Sequence, residues 1–530
     1  MMENRIPWWL ELAVLALAGV AGVGLFALAE WKIVGNWGFP LDDTWIHLQF
    51  ARNLSAGQGF SFNAGDSSPG STAPLWTLLL SLAFLFPWSP ILSVKVLGSF
   101  LLLANGWLTR CLARSAGLAP DWSLLAGLTV VLTPRLLWGS LSGMEVMLYA
   151  ALATAGVWLH LLNWGRGPSL ASTFLLALAA LARPECLLLF PLTAVDRWRQ
   201  EPNVRRLWSL YWRHFLLYAV VLAPAVCFNL YNTGRPLPNT FYAKVGGYGL
   251  LGAIADLDFF RMGTAFLLYP LQQSQELAQF AVENSLFLAC LAPLGLLALV
   301  RPEQLREGRG SWIILLALVV FPVARGMLAP FKGATFQHGR YAAHLIPLLT
   351  VVGLMGLKLA GSLLRQGREG EWVALVRRWG KPLCWGMILL PLLVTDVKYA
   401  RTYGRNVADI DRMHVSMGRW LEKHTPQGAV IATNDIGAIG FFSGRRLLDI
   451  VGLVTPEVLA YLPPGVPADR GVLSYLEAKK PDYLVILPNW YPELSTRSDL
   501  FNRVHEVVLT ESTIAGGNRL VAYRTIWTEE

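Results

Sequence analysis

LDDTWIHLQFARNLSAGQGFSFNAGDSSPGSTAPLWTLLL, residues 41–80, decides how this chain is read. Pro40 followed by Asp42 and Asp43 is an ordinary helix start, because a helix N-terminus tolerates proline and favours negative charge. The helix predicted over 42–56 also carries His47, Gln49, Arg52 and Asn53, and a Gly-rich loop with Asp66 follows it. Upstream, residues 8–29 are apolar and long enough to cross a bilayer; downstream, 74–86 are apolar but too short. A dense polar cluster is therefore expected at a membrane edge, where ionisable groups point to a site.

The rest of the chain fits a membrane setting. Its 530 residues are 54% hydrophobic and only 15% charged, with 22 Trp, a balance that a water-soluble domain of this size could not cover with polar surface. Spanning helices are predicted near 8–29, 90–112, 121–138, 144–163, 168–182, 184–197, 213–230, 282–300, 311–328, 341–364 and 381–398, about eleven in all. Segment 74–86 is read as a juxtamembrane or re-entrant helix inside a long first external loop, 30–89. From about 399 the pattern changes to short alternating runs: strands are predicted over 429–433, 447–451, 483–487, 504–509 and 520–524, with helices over 410–423, 455–462 and 471–479 between them. The expected fold class is mainly α: a polytopic membrane domain over 1–398 and a C-terminal α/β domain over 399–530.

The formal charge of +9 resides mostly in short loops between apolar segments, including Arg110, Arg114, Arg166, Arg197, Arg301, Arg306, Arg309, Arg368 and Lys381. Excess Lys and Arg mark the cytoplasmic side, which accounts for the charge without a nucleic-acid partner. It places the N-terminus in the cytoplasm and the C-terminal domain outside it, and requires an odd number of spans. The five cysteines fall inside predicted helices, and no metal or redox spacing exists among them. There is no G-x-S-x-G, P-loop or H-E-x-x-H, which argues against hydrolase, ATPase and metalloprotease readings.

The polar cluster suits transfer of a sugar to a hydroxyl. That reaction needs a carboxylate to take the acceptor proton as the anomeric carbon gains positive character, and Asp42 or Asp43 could supply it. A lipid phosphate leaving group needs cations more than protonation. Lys244, Arg340 and Tyr341, with His338 close by, lie on expected outer loops, and Arg135 sits near the outer end of its helix. Arg offers a planar fork for phosphate oxygens and Lys a compact charge. Glu145 follows the Ser142-Gly143-Met144 turn, where its bland role is to favour the helix N-terminus. Arg183 and Glu185 interrupt an apolar hairpin, and a mutual ion pair is the economical explanation. His47, at i+4 from Asp43, shares a helix face with it; an Asp–His hydrogen bond is favoured over a divalent-cation site, for which two ligands are too few. In the C-terminal domain Asn434 and Asp435 end a strand, more simply as a turn and helix cap than as ligand groups.

Residues 41–80 resemble the first external loop of GT-C-type glycosyltransferases. The likeness is closest to the bacterial branch that contains the mycobacterial terminal arabinofuranosyltransferase, and extends more distantly to lipid A aminoarabinose transferase and protein mannosyltransferases. LSGMEVMLYAAL (141–152), LARPECLLL (181–189), LPNTFYAK (237–244) and QHGRYAAHLIP (337–347) agree in the same order, as does IATNDIGAIGFFSGRRLLDIVGL (431–453) in the last domain. The resemblance implies a multi-pass protein of a bacterial cytoplasmic membrane, with a polyprenyl-phosphate-linked sugar as donor and a glycan, lipid or protein as acceptor. It implies Asp42 as the catalytic base, or beside it, with Asp43 as partner. Substrate contacts are expected at Glu145, where the resemblance places a second acidic motif, and at Arg183, Glu185, Lys244, His338, Arg340, Tyr341, Arg52 and His47, the last a departure from the family pattern. Some members of the superfamily use a divalent ion, so metal dependence stays open, with Asp43 and His47 as the weak candidates. Rival readings are a transporter or flippase of lipid-linked sugars, which would need polar residues near the membrane midplane, and a non-catalytic glycan-binding scaffold.

Overall fold

The structure is a computed structural model that describes residues 7–200, 202–245, 249–300, 312–329, 332–365, 371–463 and 466–527. Arg301, Arg306, Arg309 and Arg368 of the expected cytoplasmic loops lie outside the described residues.

The first half of the chain forms α1 (Trp8–Val34), α2 (Asp42–Ser55), α3 (Pro74–Ala83), α4 (Pro90–Ser115), α5 (Pro120–Val131), α6 (Pro134–Leu141), α7 (Val146–Leu162), α8 (Leu170–Ala182), α9 (Leu189–Gln200) and α10 (Val204–Thr233). After it come three short helices, α11 (Asn239–Val245), α12 (Leu250–Ala255) and α13 (Phe259–Gly263), then α14 (Tyr269–Asn284), α15 (Leu286–Leu299) and α16 (Ile313–Leu328). A single turn, α17 (Phe336–Gly339), precedes α18 (Leu345–Arg365) and the long α19 (Glu371–Ile410), which passes position 398 without a break.

Among the described residues five helical stretches are long and apolar enough to cross a bilayer: Trp8–Val34, Pro90–Ser115, Val204–Thr233, Leu345–Leu364 and Arg378–His424. The predicted span at 121–138 is instead a bent pair, α5 and α6, meeting at 53°. The break sits at Thr133, because a residue before proline is pushed out of the helical region; Thr133 has φ −74 and ψ 120. The expected spans at 144–163, 168–182, 184–197, 282–300 and 311–328 form the shorter helices α7, α8, α9, α15 and α16. A helix such as α8, with 13 residues, covers about 20 Å at ~1.5 Å per residue, less than the ~30 Å hydrocarbon core. Helix α14 was not foreseen; its Gln-rich sequence lacks the apolar run that marks a span, and Ser285 divides it from α15 by capping the Leu288 amide. The chain is a multi-pass membrane protein.

The C-terminal part folds as α20 (Ser416–His424), β1 (Val430–Thr433), α21 (Gly437–Ser443), β2 (Arg446–Asp449), α22 (Ala468–Lys479), β3 (Tyr483–Ile486), α23 (Pro492–Ser495), β4 (Phe501–Val508) and β5 (Arg519–Thr525). All the predicted strands form, in the order β2-β1-β3-β5-β4. β1 pairs parallel with β2 and β3, whereas β5 runs antiparallel to β3 and β4. The segments after β1 and β2 turn toward the membrane helices: Ser68 donates to the Val454 carbonyl, and α21 packs on α2 through Trp45, Phe441 and Phe442.

Candidate active site

A helix separates adjacent side chains by about 100° and stacks those four apart on one face. This divides the two acids at the start of α2. Asp43 and His47 line a cavity of about 340 Å³. Asp42, ranked first from the sequence, is not part of that lining. Its carboxylate instead accepts the backbone N–H groups of Gly437 and Ala438, both at 2.7 Å, at the start of α21.

Four local features bring the other walls of the cavity together. Pro184 forces Arg183 into extended backbone (φ −161, ψ 128), so α8 ends and the guanidinium turns inward. Gly143 has φ +74, and a Cβ there would lie 2.4 Å from Thr44; only glycine lets the Ser142–Met144 turn pass beneath α2 and deliver Glu145. Lys244 comes from α11. The fourth feature is a left-handed run, Gln337 (φ 45), His338 (φ 59) and Gly339 (φ 80), which precedes Arg340 and Tyr341. Non-glycine residues in that region store strain that packing must hold.

These residues form one network. Arg340 donates to Asp43 at 2.7 Å and to the Tyr341 hydroxyl at 3.2 Å. Arg183 pairs with Glu145, and its Nε lies 3.1 Å from Glu185. The expected Arg183–Glu185 pair is thus present as part of a larger bridge. His47 directs Nε2 toward Glu145 at 3.5 Å and Nδ1 toward Ser71 at 3.4 Å. Arg183 and Arg325 sit over the Tyr341 ring, 4.5 and 4.6 Å from its centroid. Away from these polar groups the cavity is walled by Leu187, Leu188, Leu192, Leu251, Val320 and Phe321, and the C-terminal domain adds Leu453.

Burial alone would raise the Asp43 carboxyl, but the Arg340 and Lys244 charges hold it well below the usual carboxylate range. Burial pushes the His47 imidazole down to about 4, aided by Arg340 and Arg183, so it is neutral. The Tyr341 phenol, which burial would raise, is drawn down to about 8 by Arg340 and Lys244. Asp42 goes the other way: burial raises it to about 6 against the attraction of His414.

The structure therefore brings Asp43, His47, Glu145, Arg183, Glu185, Lys244, Arg340 and Tyr341 around one cavity, and leaves other expected residues outside its lining. Arg52 donates to the Phe441 carbonyl at 3.0 Å and to Gln49 at 2.5 Å, and lies over the Phe441 ring, at the contact with the C-terminal domain. His338 stacks on Trp138 at 4.6 Å and bonds Asn406 at 3.1 Å. Arg135 pairs with Glu283 and covers Phe280. Asn434 accepts from the Leu487 amide, and Asp435 pairs with His414 at 3.0 Å. Two titratable lining residues lie outside the sequence expectations, Arg325 and His344. Arg325 had a visible signal, a charge near the end of an otherwise apolar helix; His344 had none.

Among the described residues no group of three or more His, Cys, Asp or Glu side chains is placed to hold a metal ion. Asp43 is engaged by Arg340, and Glu145 by Arg183. This donor set does not fit a resident divalent ion, so no step below is routed through one.

Residues 405–525 match a family described as "Domain of unknown function (DUF8728)". No curated protein matches the chain. Solved structures do. The oligosaccharyltransferase AglB of Archaeoglobus fulgidus, in complex with an inhibitory peptide and a dolichol-phosphate, superposes with a TM-score of 0.59 at 12% identity, over 98% of this chain and 74% of that one. An Archaeoglobus fulgidus oligosaccharyltransferase in the apo form gives 0.60 at 13% identity, over 99% and 75%. ArnT of Cupriavidus metallidurans, bound to undecaprenyl phosphate, gives 0.57 at 13% identity, over 96% and 99%. Matched along nearly its whole length, the chain has a GT-C-like fold: mainly helical and membrane-spanning, with a C-terminal mixed α/β sheet.

Proposed function

We propose that this protein is a glycosyltransferase that moves a monosaccharide from a polyprenyl-phosphate donor to a glycan, lipid or protein acceptor on the extracytoplasmic face of a bacterial cytoplasmic membrane. One observation carries the reading: a carboxylate, Asp43, stands among Arg340, Lys244, Arg183 and Arg325 at the polar part of a cavity whose remaining wall is leucine-rich. An isoprenoid chain fits such a wall, and its phosphate fits the cations. Long apolar donors also explain why the reaction is housed in a membrane protein.

Asp43, rather than Asp42, is the proposed base. The acceptor hydroxyl attacks the anomeric carbon, Asp43 takes its proton, and the bond from that carbon to the phosphate oxygen breaks. The electron pair leaves with polyprenyl phosphate, whose added charge falls among the guanidinium groups and Lys244. A carboxylate held so low by Arg340 is a weak base. A donor phosphate that draws Arg340 and Lys244 toward itself relieves that hold, so Asp43 becomes basic only when donor is present. Neutral His47 beside Glu145 and Arg183 shapes the floor of the site without adding charge.

Purified protein incubated with a panel of polyprenyl-phosphate sugars and crude envelope acceptor tests the proposal by mass spectrometry of the lipid fraction. Release of polyprenyl phosphate from one donor is expected. A panel left intact would favour the transport or scaffold reading.

A further inference from the structure

The Asp43–Arg340 pair joins two segments far apart in sequence, and each partner is next to a residue tied to the C-terminal part of the chain. On one side Asp42 accepts the first amides of α21, from Gly437 and Ala438. Each of its carboxylate oxygens accepts one of these bonds, and the same contact brings the Gly437 backbone so close that a Cβ would fall 2.0 Å from the Asp42 carbonyl oxygen. On the other side His338, two residues before Arg340, lies flat on Trp138 and bonds the Asn406 side-chain oxygen at 3.1 Å. Trp138 donates its indole N–H to that same oxygen at 3.1 Å. An amide oxygen is only an acceptor, so His338 Nε2 carries the proton. The Asn406 amide then donates to the Thr513 hydroxyl at 2.7 Å. Thr513 belongs to the β4–β5 connection, and Asp409 secures it by accepting from its amide at 2.5 Å and its hydroxyl at 2.6 Å.

His338 also sits in the left-handed run, where its φ of 59 is unfavourable for a side-chain-bearing residue. Strain of this kind persists only where neighbours over-determine it, and the stack with Trp138 and the bond to Asn406 are those neighbours. Release of His338 would let the run relax, and Arg340 would move with it.

We propose, resting on the donor-site reading above, that the C-terminal domain sets the geometry of the Asp43–Arg340 pair through two tethers, Asp42 to α21 and His338–Asn406–Thr513 to the β4–β5 connection. Asp42, His338 and Asn406 are then positioning residues: they touch neither donor nor acceptor, and they fix the two groups that do. The sheet domain is part of the mechanism that holds the donor phosphate site in register, in addition to any contact it makes with acceptor.

The test uses full-length protein in detergent and two readouts. In hydrogen–deuterium exchange, Asn406→Ala and Thr513→Val raise exchange across 336–344 while β1 and β3 keep wild-type protection, and Thr513→Ser, which retains the hydroxyl, stays at the wild-type level. Asp42→Ala raises exchange across 41–47 in the same way. In binding of undecaprenyl phosphate, Asn406→Ala weakens affinity severalfold, and the loss disappears when Arg340→Gln is already present, because the tether acts through that guanidinium. Unchanged exchange across 336–344 in both tether variants, or fully additive losses in the binding cycle, would overturn the proposal. Failure of the wild type to bind undecaprenyl phosphate would remove the donor-site reading instead, and the exchange measurements would still decide the tethers.

Discussion

Arg340 reaches across 297 positions of sequence to place its guanidinium 2.7 Å from the Asp43 carboxylate. Asp43 opens a helix beside the first span and Arg340 follows a strained turn before α18, so the contact exists only when both halves of the membrane domain are assembled.

Loss of Arg340 should shift the acid limb of the pH profile. In the wild type, burial raises Asp43 and is outweighed by Arg340 and Lys244, so the carboxylate stays ionised far below the usual range. In Arg340→Gln the lowering weakens while burial remains. The Asp43 pKa rises, and activity is lost at higher pH than in the wild type. The rate at neutral pH should also fall by about 10²–10³-fold, as for loss of one charge-stabilising donor. The pH profile of kcat/KM, which reports the donor-free enzyme, checks both; an unmoved acid limb would count against Asp43 as the base.

The two neighbouring acids should separate cleanly. Asp43→Asn removes the proton acceptor and is expected to lower kcat by about 10²–10⁴-fold with folding intact. Asp42→Asn keeps one amide acceptor for α21, so its kcat falls far less. Asp42→Ala loses both backbone bonds of the cap, at a cost of about 1–2 kcal/mol, and should lower the unfolding temperature. Comparable kcat losses in Asp42→Asn and Asp43→Asn would reverse this assignment.

Much of this site is visible in the sequence, and the part that is not has a physical reason. Asp43, His47 and Arg340 stand out because each is a polar group in an apolar chain. Arg325 offers the same signal, in FPVARGML, where the sequence also reads as the end of the span expected at 311–328. The roles of Asp42 and Asp43 could not be told apart from their spacing. Which acid faces the cavity depends on the phase of α2 and on where α21 docks, 395 positions later. The position of His338 outside the cavity lining has a similar reason: its partners Trp138 and Asn406 come from α6 and α19, and no local pattern announces them. In the C-terminal domain, by contrast, alternating short runs between turn residues suffice to place every strand, because strand period and breaker residues are local properties.

Arg183 should matter for stability as much as for binding. Its guanidinium neutralises Glu145, whose side chain is 1% exposed, and Glu185, at 19%. Arg183→Ala leaves both acids without this partner, and breaking a buried pair costs about 3–5 kcal/mol. The variant should show a sharply reduced yield of folded protein in fluorescence-detected size exclusion, whereas Glu145→Gln, which leaves Arg183 its second carboxylate, should be recovered in better yield.

Filling the leucine-rich wall should discriminate by lipid length. Leu192→Trp or Leu251→Trp adds bulk where an isoprenoid chain is proposed to lie. KM for a long-chain donor should rise severalfold, and that for a short-chain analogue should change little. An equal effect on both would place the lipid elsewhere.

The most direct measurement is a structure of the protein with undecaprenyl phosphate bound. The account predicts phosphate oxygens in contact with Arg340 and Lys244, within reach of Asp43, with the isoprenoid chain running along Leu187, Leu188 and Leu192. A phosphate seated away from this cavity, with the Asp43–Arg340 pair undisturbed, would contradict it.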